Sequence, residues 1–313
     1  MKFINFKKSL TRPTTYYLLS TVLFCGCSSP HLYKENRILL GTFVEVTSPY
    51  KEAANTAFEE ISRIEKLLSK YDPESEISRL NRSGELAVSD DTLYILKKAE
   101  EFWKLTDGIF DVTVGPLMDL WGFSDKKYIL PNPEDIQKTL EGVGFDKIIF
   151  NNQNNVIKYK TSGVKIDLGG IAKGFAIEMA VKRLKEKGIT SCLINAGGQV
   201  YCLGDNSGRP WRVGIKNPRK PGIVDYLELK DKAVSTSGDY EQYFIVNGRR
   251  FTHIINPETG YPVDAGIISV TVIADDSTIA DCLSTSIFVL GKAKGLELAK
   301  AIANVQVKVV SER

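Results

Sequence analysis

The chain has 313 residues, of which 43% are hydrophobic, 25% charged and 10% aromatic. That is apolar material for one large domain or two modest ones, in a composition unlike that of disordered or low-complexity chains. The formal charge of +3 includes Lys2, Lys7, Lys8 and Arg12 in a 26-residue N-terminal stretch without acids, so the remainder is formally −1 and offers no basic field for nucleic acid.

The N-terminal stretch reads as an export signal. Its basic part ends at Arg12, and the apolar run Tyr16–Phe24 is too short to span a bilayer. Leu23-Phe24-Cys25-Gly26-Cys27-Ser28-Ser29 resembles a lipobox, with Gly26 the last residue removed and Cys27 the lipidated one. Cys25 fits less well behind bulky Phe24, and a plain signal peptide is the alternative. Residues 1–26 are thus a signal, 27–36 a tether and 37–313 the folded domain.

Along the body, a first strand is expected over Ile38–Thr47. A helix follows with Ala54, Ala57, Phe58, Ile61, Ile64, Leu67 and Leu68 on one face. Ser69-Lys70-Tyr71-Asp72-Pro73 breaks the pattern. A second helix runs from about Asp91 to Thr106 and stops at Gly108, and Asn132-Pro133 opens another. A strand near Val164–Leu168 runs into glycines and a helix from about Ala172 to Lys187. Strands are then expected at Cys192–Ile194, Val200–Leu203, Trp211–Ile215, Tyr226–Leu229, Tyr243–Val246, Arg250–Ile255 and Ile267–Ile273, with a hairpin turn at Asn247-Gly248. Two helices and a strand, Val305–Val309, close the chain. Mixed runs of helix and strand give an α+β fold. Cys192, Cys202 and Cys282 match no zinc spacing; Cys192 and Cys202 either bridge across a hairpin or stay buried thiols.

No P-loop, dinucleotide fingerprint or nucleophile elbow occurs, so a nucleotide site here needs other parts. Asp167-Leu168-Gly169-Gly170-Ile171-Ala172-Lys173-Gly174 is a strand end, two glycines and a helix start, which suits phosphate and equally suits a structural turn. In Ala280–Thr285, a helix sets Asp281, Ser284 and Thr285 at i, i+3 and i+4. One carboxylate and two hydroxyls on one face offer hard ligands for Mg²⁺, or caps for backbone groups. His253, in Thr252–Pro262, stands at a strand end before a Pro and Gly turn, where a base or a structural imidazole both fit. Ser235–Glu241 is a small, polar run between strands.

Together these segments resemble the FAD:protein FMN transferase (ApbE) family. The likeness runs in order through Gly41-Thr42, Tyr71–Ile77 with Leu80-Asn81, Thr106–Gly108 with Phe110–Leu117, Leu120–Phe123, Asp167–Gly174, Asn195–Gly198, Ser235–Glu241, His253–Pro262 and Ala280–Thr285. Each piece is weak; nine in order are specific. The resemblance implies one mixed domain of mainly antiparallel sheets with flanking helices. It implies an Mg²⁺-dependent enzyme that cleaves FAD, joins FMN by a phosphoester to Thr or Ser of a target, and releases AMP. Targets would be flavin-acceptor subunits of membrane redox complexes, met in the cell envelope through the lipid anchor. Carried over by motif, the flavin contacts are Leu40, Tyr71, Ile109, Phe110, Asp111, Asp167, Lys173 and Ile255. The metal ligands are the Gly170 carbonyl, Asp281, Ser284 and Thr285. His253 is the first choice of base, with Asp281 the other catalytic residue. Leu40 stands where the family usually has Met, and Lys173 varies within it. Alternatives with the same residues are an Mg²⁺-dependent FAD pyrophosphatase and a flavin-binding lipoprotein without turnover.

Overall fold

The computed structural model describes residues 31–312, so the expected signal and Cys27 lie outside the described residues. A hairpin comes first, β1 (Tyr33–Leu39) and β2 (Thr42–Ser48), then the helices α1 (Ala53–Leu68) and α2 (Glu76–Ser83), β3 (Glu85–Ala87), α3 (Asp90–Leu105), α4 (Gly115–Leu120) and α5 (Pro133–Leu140). The strands β4 (Ile148–Asn151) and β5 (Val156–Tyr159) precede α6 (Ala172–Glu186). The strand-rich part holds β6 (Cys192–Ala196), β7 (Gln199–Leu203), β8 (Trp211–Lys216), β9 (Ile223–Leu229), β10 (Lys232–Gly238), β11 (Tyr243–Val246), β12 (Arg249–Thr252) and β13 (Ile267–Ala274). The chain ends with α7 (Ser277–Leu290), α8 (Lys292–Lys300) and β14 (Gln306–Ser311).

The central sheet has the order β1-β2-β6-β7-β10-β13-β14, antiparallel throughout. Alternation of side chains gives it two unlike faces. Val44, Val46, Ile194, Ala233, Val270 and Val272 join the main core, which α1, α6 and α7 cover. On the other face, Val200, Cys202 and Val234 pack with Trp211 and Leu229 of the separate β8–β9 ribbon. A third cluster, around Leu117, Trp121, Phe123, Phe244 and Phe251, braces the loop after β12. There Trp121 Nε1 donates to the Gly260 carbonyl at 2.9 Å.

Several expectations shift. The strand expected over Ile38–Thr47 is a hairpin broken at Leu40-Gly41, where both residues have positive φ. The tether expected through Asn36 gives way to β1 at Tyr33. Val164–Leu168 forms no sheet strand; it makes one isolated bridge, Val114–Lys165. The Asn81 amide takes the place of a neighbouring strand, donating to the Ile166 carbonyl at 2.9 Å and accepting its N–H at 2.8 Å. The strand expected to reach Ile255 ends at Thr252. Cys192 pairs with Leu203 and Cys202 with Leu193, so the two sulfurs lie on opposite faces and remain free thiols.

Candidate active site

The site forms where α6 begins against α7. A Cβ at Gly174 would stand 2.4 Å from the Ser277 carbonyl oxygen and 2.7 Å from Asp281 Cβ, so only glycine lets the helices cross this closely. The Gly174 N–H donates to Asp281 Oδ2 at 2.8 Å. Asp281 is buried and, among the described residues, has no salt-bridge partner. Burial pushes its carboxyl up, while nearby Lys173 and the Gly174 N–H pull it down. A buried carboxylate at a helix N-terminus, without its own cation, is unusual chemistry for a merely structural group.

The expected helical face exists. The Ser284 hydroxyl donates to the Asp281 carbonyl at 3.0 Å and lies 3.1 and 2.9 Å from the hydroxyls of Ser235 and Ser237. Thr285 Oγ1 is 3.3 Å from Ser237 Oγ. Asp281 and Thr285 line the inner cavity, of about 160 Å³, and fully buried Ser284 stands behind it. Gly170 also lines it, close enough that an added Cβ would sit 3.3 Å from Thr285 Oγ1.

Ile109, Phe110 and Ile255 supply the cavity's apolar wall. Asp111 lines it too, but its carboxylate is occupied: Oδ1 accepts from the Thr113 N–H and hydroxyl at 2.7 and 2.6 Å, and Oδ2 from the Phe145 N–H at 2.9 Å. Its side chain is a staple for the loop. An outer cavity of about 270 Å³ holds Leu40 and Tyr71, and the two cavities share Asp167, Lys173 and His253 as one cleft. Leu40 has φ 54 and its N–H donates to Glu65 Oε1 at 2.7 Å, which fixes the turn at the mouth. Tyr71 is 70% exposed at the rim, with the Lys70 ammonium 5.2 Å from its ring centroid.

Two electrostatic features stand out. Asp167 Oδ1 accepts from the Gly169 N–H at 2.8 Å and Oδ2 from Lys70 Nζ at 2.6 Å. Burial lowers the Lys70 ammonium, and Asp167 more than offsets this, leaving it raised. His253 Nδ1 lies 3.0 Å from the Gln242 carbonyl, which can only accept, so Nδ1 carries the hydrogen and Nε2 keeps its lone pair. Burial lowers this imidazole to about 4, partly opposed by the Gln242 bond.

The structure therefore brings every expected site residue of the described chain into one cleft or its lining shell. Sequence reading missed Lys70 and Glu65. Lys70 had a signal, its place in the Ser69–Pro73 break beside Tyr71; Glu65 had none, being one acid among several on a helix.

An oxygen-rich pocket at a helix N-terminus, joined to an apolar mouth in an α+β fold, defines a protein built for a phosphorylated ligand with an aromatic body. The profile of the ApbE family matches residues 40–309. The FAD:protein FMN transferase of Haemophilus influenzae is 36% identical over 245 residues, 74% of this chain and 71% of that protein. The FAD:protein FMN transferase of Vibrio cholerae is 32% identical over 300 residues, 91% and 89% of the two chains. Among solved structures, the ApbE protein of Thermotoga maritima superposes with TM-score 0.83 at 34% identity, over 90% of this chain and 97% of that one. The flavin transferase ApbE of Vibrio cholerae gives 0.79 at 29%, with the same coverage. The chain belongs to the ApbE family.

Proposed function

We propose that the protein is an FAD:protein FMN transferase. The acceptor hydroxyl oxygen attacks the phosphorus of the FMN half, the bond from that phosphorus to the bridging oxygen breaks, and AMP leaves with that oxygen. The hydroxyl proton passes to His253 Nε2. A histidine lowered to about 4 is a weak base; it suits a phosphoryl transfer in which the leaving-group bond loosens early and the proton departs late. The flavin lies along Leu40, Tyr71, Ile109, Phe110 and Ile255, with Asp167 and Lys173 at its polar edge.

The observation that carries this reading is Asp281, a buried carboxylate beside the Gly174 N–H and the Ser235 hydroxyl, with Lys173 nearby but, among the described residues, no salt-bridge partner. One acid plus hydroxyl and carbonyl oxygens suits Mg²⁺, which completes its shell with water and phosphate. Mg²⁺ held by a single carboxylate would take its remaining ligands from hydroxyl and carbonyl oxygens, water and substrate phosphates. Asp281, Thr285 and the Gly170 carbonyl would hold the ion, with Ser284 supporting them from behind. When bound, it neutralises pyrophosphate charge. Asp281→Asn keeps an acceptor for the Gly174 N–H and removes the charge. We expect AMP release and FMN transfer to fall at least about a hundredfold with the fold intact by circular dichroism; wild-type rates in a folded variant overturn the metal site.

The same reading places the protein in the bacterial envelope, held by lipid at Cys27 and acting on subunits of membrane redox complexes. Its support is the Leu23–Ser29 motif. Cys27→Ala should move the protein from the membrane to the soluble fraction, and unchanged partitioning argues against the anchor.

A further inference from the structure

The central sheet separates the flavin cleft, on its helix face, from a second polar cleft on the ribbon face. That second cleft, of about 400 Å³, runs between the sheet and β8. Its floor includes the outward-pointing Glu45, Asn195, Thr236 and Thr271, the last two joined through their hydroxyls at 2.9 Å, beside apolar Val200 and Val234. Its wall comprises five consecutive residues, Arg212 to Lys216. Alternate residues of a strand point to opposite sides, so five in a row line a cleft when it runs along the strand's edge. Among the described residues β8 pairs only with β9, which leaves that edge's N–H and C=O groups unpaired.

The two clefts meet. β7 accompanies β10 only along Lys232–Val234 and then turns back at Gly197-Gly198, whereas β10 continues to Gly238 beside β13 alone. The sheet therefore has a window next to Ser235–Gly238. Thr236 and Glu241 line both cavities, one on each side of it. The ribbon is fixed over this window: Arg219 makes a bidentate pair with Asp239, at 2.7 and 2.6 Å.

We propose that the cleft along β8 receives an extended segment of the acceptor protein, which adds to the free edge of β8 and passes its hydroxyl residue through the window to the inner cavity. This rests on the transferase reading above. The reasoning is spatial: a flavin lying along Leu40 and Tyr71 fills the mouth on the helix face, so a second substrate needs another entrance. An unpaired strand edge beside a preformed groove recognises extended main chain.

The test uses the full protein, FAD, Mg²⁺ and a library of short peptides with a central Thr and random flanks. Wild type should label a subset with FMN. Asn195→Trp, which fills the cleft floor away from the flavin site, should raise KM for the best peptide about tenfold, equivalent to about 1.4 kcal/mol. FAD affinity and peptide-independent AMP release should stay unchanged. In wild type, hydrogen exchange with the same peptide carrying Val in place of Thr should slow alternate amides of β8. With peptide labelling present, an unchanged KM in folded Asn195→Trp, or β8 amides that exchange as fast with peptide as without, overturns the proposal. Failure to cleave FAD, or cleavage that labels no acceptor at all, overturns the transferase reading beneath it.

Discussion

Lys70 and Asp167 put a charge pair inside a cleft whose walls are largely apolar. Asp167 is buried, and among the described residues its carboxylate has, besides Lys70, only the Gly169 N–H. Removing the ammonium in Lys70→Met leaves a buried charge uncompensated. We expect a loss of about 2 kcal/mol, on the low side for such pairs because the Lys70 side chain keeps 17% exposure. A thermal melt reads this, with Lys70→Arg as the charge-keeping control; equal melting of Lys70→Met and wild type shows that Asp167 is satisfied without it. Sequence reading reached Asp167 through its place before two glycines. It missed the partner because a lysine at a helix end ordinarily reads as a solvated group. Asp111, a flavin contact by family resemblance, lines the inner cavity while its carboxylate accepts from Thr113 and Phe145, partners that no local pattern displays.

At the scale of elements, the crossing of α6 and α7 decides whether the site exists. Gly174 holds the helices at contact distance and ties α6 to Asp281. Its would-be Cβ meets backbone oxygen, which cannot rotate away, so Gly174→Ala must push the helices apart. The expected cost is about 1–3 kcal/mol, with a further loss of FAD affinity as Asp281 withdraws. Melting and FAD fluorescence quenching measure the two separately; unchanged values for both would refute the crossing as described. The helices α1 and α3 were legible because their apolar faces repeat at helical spacing; α6 and α7 carry no such one-sided face, α7 being buried almost all round. The segment before α6 was not legible. Val164–Leu168 has the composition of a buried strand, yet its backbone is satisfied by the side chain of Asn81, a long-range partner that no local pattern displays.

On the scale of the whole molecule, the α+β class followed from mixed runs of helix and strand, but the strand order did not. β7 lies beside β10 and β13 beside β14 through contacts distant in sequence, and the window in the sheet depends on that order. Folding this sheet around a polar site buries ionisable groups whose effects on stability oppose one another. Asp111, Glu178 and Asp281 are raised, chiefly by burial; in the native state they take up protons at higher pH than when unfolded, so they favour the fold as pH falls. His253 acts the other way. Its value drops from 6.5 to about 4 on folding. Above pH 6.5 it is neutral in both states and contributes no pH dependence. As pH falls from 6.5 toward 4 the unfolded chain binds its proton and the native state does not, so stability declines, by up to about 3 kcal/mol, and the decline ceases below the folded value. His253→Gln removes this decline and leaves the three acids. We therefore expect the variant to lose less stability than wild type between pH 6.5 and 4, measured by urea unfolding at several pH values. Parallel profiles for the two proteins would show that the imidazole is protonated equally in both states and is not held neutral in the cleft.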